Sequence, residues 1–165
     1  MPTRKIREFL DGQHIGYAIL PHQVSYTARE TAVVTHTANK EFAKTVIVKV
    51  DGDLAMAVVP ASYDVDLSLL RAATGARIVT LAKESEFKDH FPECEIGAMP
   101  PFGNLYGMTV YVDDSLTKDE HIAFNAGSHY ELLQLSYADF ERAVMPRVLN
   151  FTAMRDPALM GAWHL

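Results

Sequence analysis

Residues 45–59 read TVIVKVDGDLAMAVV, and the fold class turns on this stretch. Two runs rich in β-branched and apolar residues, 45–50 and 54–59, flank Asp51, Gly52 and Asp53, which supply the turn chemistry that favours positive φ. The pattern predicts a β-hairpin. On its C-terminal side, Asp66 precedes Leu67, Leu69, Leu70 and Ala73, and Gly75 closes the run, so a helix with an acidic start and a glycine stop follows. Residues 77–81 return to strand, 83–90 have helical character, and 108–112 and 121–124 read as strands. Another strand, 130–135, comes after the turn formed by Asn125, Ala126, Gly127 and Ser128. Ser136 with Asp139 then opens a last helix by local capping. On the N-terminal side, Ile6, Phe9 and Leu10 recur at helical spacing over residues 3–12, with Gly12 as a stop. Residues 17–20 suit a short strand ended by Pro21, and Thr27 with Glu30 forms a capping box ahead of a helix over 28–36.

Hairpin-linked strands with helices between them point to an α+β domain around a mixed, mainly antiparallel sheet. The expected boundaries are one domain over 1–146 and a C-terminal tail over 147–165. That tail is apolar without clear periodicity, carrying Phe151, Met154, Leu159, Met160 and Trp163. Either it docks on the body or on a partner, or it is a loosely held terminus.

The 165 residues are 48% hydrophobic and 22% charged, a balance that suits one soluble globular domain. Apolar stretches fall short of the ~20 residues a membrane helix needs. Residues 1–5 run into the first helix without the apolar core of a secretory signal, so a cytoplasmic location is expected and no membrane. The single cysteine, Cys94, agrees with a reducing compartment. A net charge of −6 lacks the basic footprint of a general nucleic-acid binder. Positive residues nevertheless cluster, in Arg4, Lys5 and Arg7 and in Lys40, Lys44 and Lys49. A local basic face of that kind suits a protein that grips only the end of an RNA.

Several catalytic classes lose their footing. Seven histidines include no HExxH pair, and no cysteine couple accompanies them, so no metal is expected. The GxSxG elbow and the glycine patterns of dinucleotide and nucleoside triphosphate sites are also missing from the sequence. Cys94 lies between Glu93 and Glu95, which would raise rather than lower a thiol pKa, and a structural role is the better reading. The most constrained segment is Gly97-Ala98-Met99-Pro100-Pro101-Phe102-Gly103. Two prolines fix φ and remove two donors, leaving a stiff loop whose remaining amides either face a ligand carbonyl or merely complete a connector. Lys44, at the entry to a strand, is a solvated charge or a site residue. His129, following the Gly127-Ser128 turn, is a half-buried hydrogen-bonding residue or a site residue.

Taken in order, Lys44-Thr45 entering VIVKV, then AVVPASYDVDLSLL, FPECEIGAMPPFG, MTVYVDDSL and FNAGSHYELLQLSYADF resemble the YbaK and prolyl-tRNA synthetase insertion-domain family over roughly residues 3–144. The ordered combination carries the resemblance, because GxxxP alone, here Gly97 to Pro101, is common. The resemblance implies a curved or barrel-like sheet with surrounding helices, and a freestanding, metal-independent and cofactor-free deacylase. It would hydrolyse the ester between a small misattached amino acid and the 3′ end of a transfer RNA. It also implies Lys44, Gly97 and His129 as catalytic residues, with Thr45, Ala98, Met99, Pro101, Gly127 and Ser128 holding the substrate. The expected partners are the transfer-RNA acceptor end and prolyl-tRNA synthetase. Alanine on transfer-RNA-Pro is the first expected substrate, then cysteine, serine or threonine. Two rivals stand beside this reading: a non-catalytic module of the same fold that binds an aminoacyl or nucleotide group or a partner protein, and a hydrolase of free esters or thioesters.

Overall fold

The structure is a computed structural model and describes residues 4–21, 42–129 and 131–154. The capping box at Thr27 and Glu30, the helix expected over 28–36 and the end of the tail lie outside the described residues. The hairpin forms as the sequence predicts. Strand β2 (Ala43–Val50) pairs antiparallel with β3 (Asp53–Pro60), from Ala43 opposite Pro60 to Val50 opposite Asp53. Its turn is shorter than expected, because Asp53 already belongs to β3. Asp51 and Gly52 alone reverse the chain, with φ of 49° and 89°, values that match the twist of a two-residue hairpin. Asp51 holds the turn in place through its carboxylate, which accepts from the amides of Arg77 and Ile78 at 3.0 and 2.9 Å. Those two amides are therefore kept out of a ladder, and the strand expected over 77–81 shortens to β5 (Val79–Leu81).

The hairpin is the centre of a five-stranded sheet ordered β5-β2-β3-β6-β9, with β6 at Thr109–Asp113 and β9 at Arg147–Leu149. β6 runs parallel to β3, and β9 parallel to β6; apart from one isolated parallel bridge, Phe42 to Ala123, the other pairings among the described residues are antiparallel. A three-stranded sheet orders β1 (Ala18–Pro21), β8 (Glu131–Ser136) and β7 (His121–Asn125). A third, two-stranded sheet joins β4 (Tyr63–Val65) to β10 (Thr152–Met154). The mixed α+β class is confirmed. The barrel-like closure is not: the strands divide among three open sheets, and the five-stranded one keeps β5 and β9 as edges.

Four α-helices flank these sheets among the described residues. In α1 (Arg4–Gly12), Ile6 and Leu10 are fully buried in the core. Helix α2 (Leu67–Thr74) begins where Asp66 accepts from the Leu69 amide at 3.0 Å, and ends where the Gly75 amide returns to the Arg71 carbonyl. The helical run expected over 83–90 splits into α3 (Glu84–Phe87) and a 3₁₀ turn, Lys88–His90. Helix α4 (Tyr137–Val144) is capped by Ser136, whose hydroxyl oxygen accepts from the Asp139 amide at 3.1 Å.

Alternation along β2 divides the core. Ala43 and Ile47 join the larger cluster with Met99, Phe102, Ile122, Phe124 and Phe140, while Val48 packs on the opposite face with Leu70, Tyr111 and Phe151. The start of the segment set apart as a tail docks on the body through β9 and β10. Buried Asp113 fastens it, accepting from the Phe151 amide at 3.0 Å and from the backbone and hydroxyl of Ser115.

Candidate active site

The Gly/Pro-rich loop and the turn after β7 are built as one unit. Glu95 donates its amide to the Gly127 carbonyl at 2.8 Å, and the Gly127 amide returns to the Ala98 carbonyl at 2.7 Å. Within the loop, the Ala98 amide donates to the Glu95 carbonyl at 3.0 Å. Ala98, Met99, Pro100, Pro101 and Phe102 are buried, with Met99 and Phe102 in the larger core cluster. A rigid anchor thus carries an exposed tip at Gly97. At that tip φ is +84°, and a methyl group in place of the glycine hydrogen would stand 3.6 Å from the His129 ring.

His129 is tied to the same tip. Its Nε2 lies 2.9 Å from the Ile96 carbonyl, and because a carbonyl only accepts, Nε2 carries the proton. In the neutral imidazole the lone pair then resides on Nδ1, which is the atom left to accept from a water or a hydroxyl. Of the loop amides that could face a ligand carbonyl, that of Ala98 is already committed to Glu95. The Gly97 amide donates to no acceptor among the described residues, so at the exposed tip it remains open as a donor.

Lys44 occupies the second position of β2 and makes an ion pair with Asp64 of β4 at 3.0 Å; the side chains are 18% and 50% exposed. The half-buried ammonium is therefore held in one place. Phe42 bridges Ala123 of β7 in parallel, so the chain entering Lys44 runs beside the strand that leads into Gly127, Ser128 and His129. The structure thus brings Gly97, Ala98, Gly127 and His129 into direct association, and sets Lys44 on a strand neighbouring theirs. Thr45 points to the opposite face of β2 from Lys44, by strict alternation with Ala43 and Ile47. Ser128 is half-buried beside His129.

Asp64 and Ile96 are additions that the sequence reading passed over. Asp64 lies within the motif AVVPASYDVDLSLL, but its tie to Lys44 depends on β4 returning beside the hairpin. Ile96 contributes through its carbonyl, for which side-chain chemistry offers no signal. Cys94, at the loop entrance, is disfavoured as a nucleophile: burial first, and the Glu93 charge among lesser causes, push its thiol up to about 11. Tyr106, 3.9 Å from that sulfur, is also raised by burial. A hollow of about 410 Å³ lies at the far end of the hairpin, lined by residues that include Gly52, His90 and Tyr106, and Lys44 does not border it. Among the described residues no group of three His, Cys, Asp or Glu side chains is placed to hold a metal, and no helix is long and apolar enough to cross a membrane.

The chain as a whole has counterparts of known class. The aminoacyl-tRNA editing domain family matches residues 22–143, most of the chain. The chain belongs to that family, whose members include aminoacyl-tRNA deacylases, hydrolases of the aminoacyl ester. It is 27% identical over 153 residues to the multifunctional Ser/Thr-tRNA deacylase ProXp-y of Escherichia coli K12, covering 90% of this chain and 91% of that protein. Among solved structures, the hypothetical protein APE2540 superposes with a TM-score of 0.81 at 20% identity, over 91% of this chain and 100% of the other. A structure described as a candidate trans-editing enzyme for prolyl tRNA synthetase gives a TM-score of 0.77 at 18% identity, over 91% and 96% of the two chains.

Proposed function

We propose that this chain is a trans-editing deacylase that hydrolyses the ester between a small misattached amino acid and the terminal ribose of a transfer RNA. The observation that carries this reading is the uncommitted Gly97 amide, fixed at φ +84° beside a histidine whose protonated nitrogen is already identified. An aminoacyl ester is an activated acyl donor, so the site has three tasks: to hold it, to place the attacking oxygen and to stabilise the oxyanion. Gly97 donates its N–H to the oxyanion. His129 Nδ1 accepts from the attacking water or from the neighbouring ribose hydroxyl, orienting it. Lys44, neutralised in part by Asp64, binds the terminal phosphate or ribose by charge-assisted hydrogen bonds. Met99 and Pro101, packed into the body, and the Gly127-Ser128 turn give that wall its fixed shape; Ala98 acts by bracing the loop, and Thr45 supports β2 from the other face.

Serine and threonine precede alanine and cysteine as substrates in this reading, supported by the name of the 27% identical relative. Transfer-RNA-Pro and cooperation with prolyl-tRNA synthetase are supported by the description of one structural neighbour. A site of this kind is needed because a synthetase separates amino acids differing by one methylene by only about 1–3 kcal/mol. The test is release of amino acid from transfer RNAs mischarged with serine, threonine, alanine and cysteine, by wild type and Lys44→Ala. Wild type should release at least one of them, and the variant should be slower by about 100-fold or more with unchanged circular dichroism. No release from any of the four would favour a binding module. Release undiminished by trimming away the RNA body would favour a hydrolase of free esters.

A further inference from the structure

Asn125 is the last residue of β7, immediately before the turn that holds the Gly97 loop. Its neighbours Ile122 and Phe124 pack into the larger core cluster, so Ala123 and Asn125 face the other side of the sheet. On β2 the same division places Phe42 and Lys44 away from that cluster, since Ala43 and Ile47 enter it. The parallel bridge between Phe42 and Ala123 fixes the register. Two residues further along each strand, Lys44 and Asn125 share one face on adjoining strands. Asn125 is only 9% exposed, and its side-chain carbonyl Oδ1 has no hydrogen-bond donor among the described residues. A buried amide oxygen without a donor is costly, and folded proteins keep few of them.

We infer that Asn125 is a specificity-determining residue whose Oδ1 accepts a hydrogen bond from the side-chain hydroxyl of a seryl or threonyl group. This rests on the deacylase reading above and deepens it. A neutral amide oxygen beside a charge-balanced Lys44–Asp64 pair suits a neutral hydroxyl; an aminoacyl ammonium group would call for a carboxylate. Occupancy by the hydroxyl supplies the donor that Asn125 lacks among the described residues, so binding is rewarded for the hydroxyl and not for a methyl.

The experiment compares wild type, Asn125→Ala and Asn125→Asp on one transfer RNA charged with serine or with alanine. Wild type should favour the seryl ester, and Asn125→Ala should lower the seryl-to-alanyl rate ratio by about tenfold. The ratio is taken within one preparation, so loss of folded protein cancels. Asn125→Asp, which keeps an acceptor oxygen, should recover seryl release relative to Asn125→Ala. An unchanged ratio in Asn125→Ala, or a wild type that prefers the alanyl ester, overturns the inference while leaving the deacylase reading intact. Wild type inactive on every ester would instead overturn the reading beneath it.

Discussion

Gly52 and Gly97 have almost the same backbone angle, φ of 89° and 84°, and opposite fates. A methyl group added at Gly52 would meet nothing within 4 Å, whereas one at Gly97 would meet the His129 ring. Gly52 closes a hairpin whose partners are its immediate neighbours in sequence. Gly97 tips a loop whose partners, Gly127 and His129, arrive from thirty residues downstream. The same conformational demand thus serves chain reversal in one place and presentation of an amide in the other.

Gly97→Pro should break the comparison with the largest effect. Proline fixes φ near −65° and removes the amide proton, so deacylation should fall by about 10²–10³-fold, while Gly97→Ala, which keeps the amide, should lose less. Equal activity in both variants, measured as amino acid release, would strip the Gly97 amide of its role. Cys94 sharpens the comparison from the loop entrance. With its thiol raised to about 11 from an ordinary 9.0, the thiolate fraction at pH 8 should be roughly 100-fold below that of the unfolded chain. An aromatic disulfide reagent should therefore label the native protein slowly and the urea-unfolded protein quickly; fast native labelling would show that the loop is not packed as described. The sign is that of an acid whose neutral form is favoured by burial, so native reactivity should rise only as pH climbs toward 11. Gly52→Ala should have the smallest effect, about 1 kcal/mol of stability from the backbone alone, or about 2–4 °C in Tm, with deacylation unchanged. A loss of activity there would mean that the hairpin turn takes part in the site.

The fold was legible wherever a local rule decides it. Asp51-Gly52 names its own turn, Asp66 and Gly75 bracket α2, and Ser136 caps α4. Each works through atoms within four residues. Legibility failed where a distant group intervened. Asp51 draws Arg77 and Ile78 out of a strand, and the expected tail yields β9 and β10, three-residue strands that exist because β6, β4 and Asp113 receive them. The expected barrel opened into separate sheets for a similar reason, since closure depends on which edges meet.

For the candidate site, Lys44, the Gly97 loop and His129 were singled out by their ordered resemblance to a known family, because each of them taken alone suits a structural role as well. Composition and the hairpin motif likewise determined the α+β class. The tertiary structure alone decided that Asp64 holds Lys44, that Ala98 is spent on bracing its own loop, that His129 is protonated on Nε2 by way of Ile96, and that Asn125 lies buried with no donor among the described residues. Such facts reside in contacts between segments far apart in the chain, where no propensity of a residue for its neighbours can report which groups will meet.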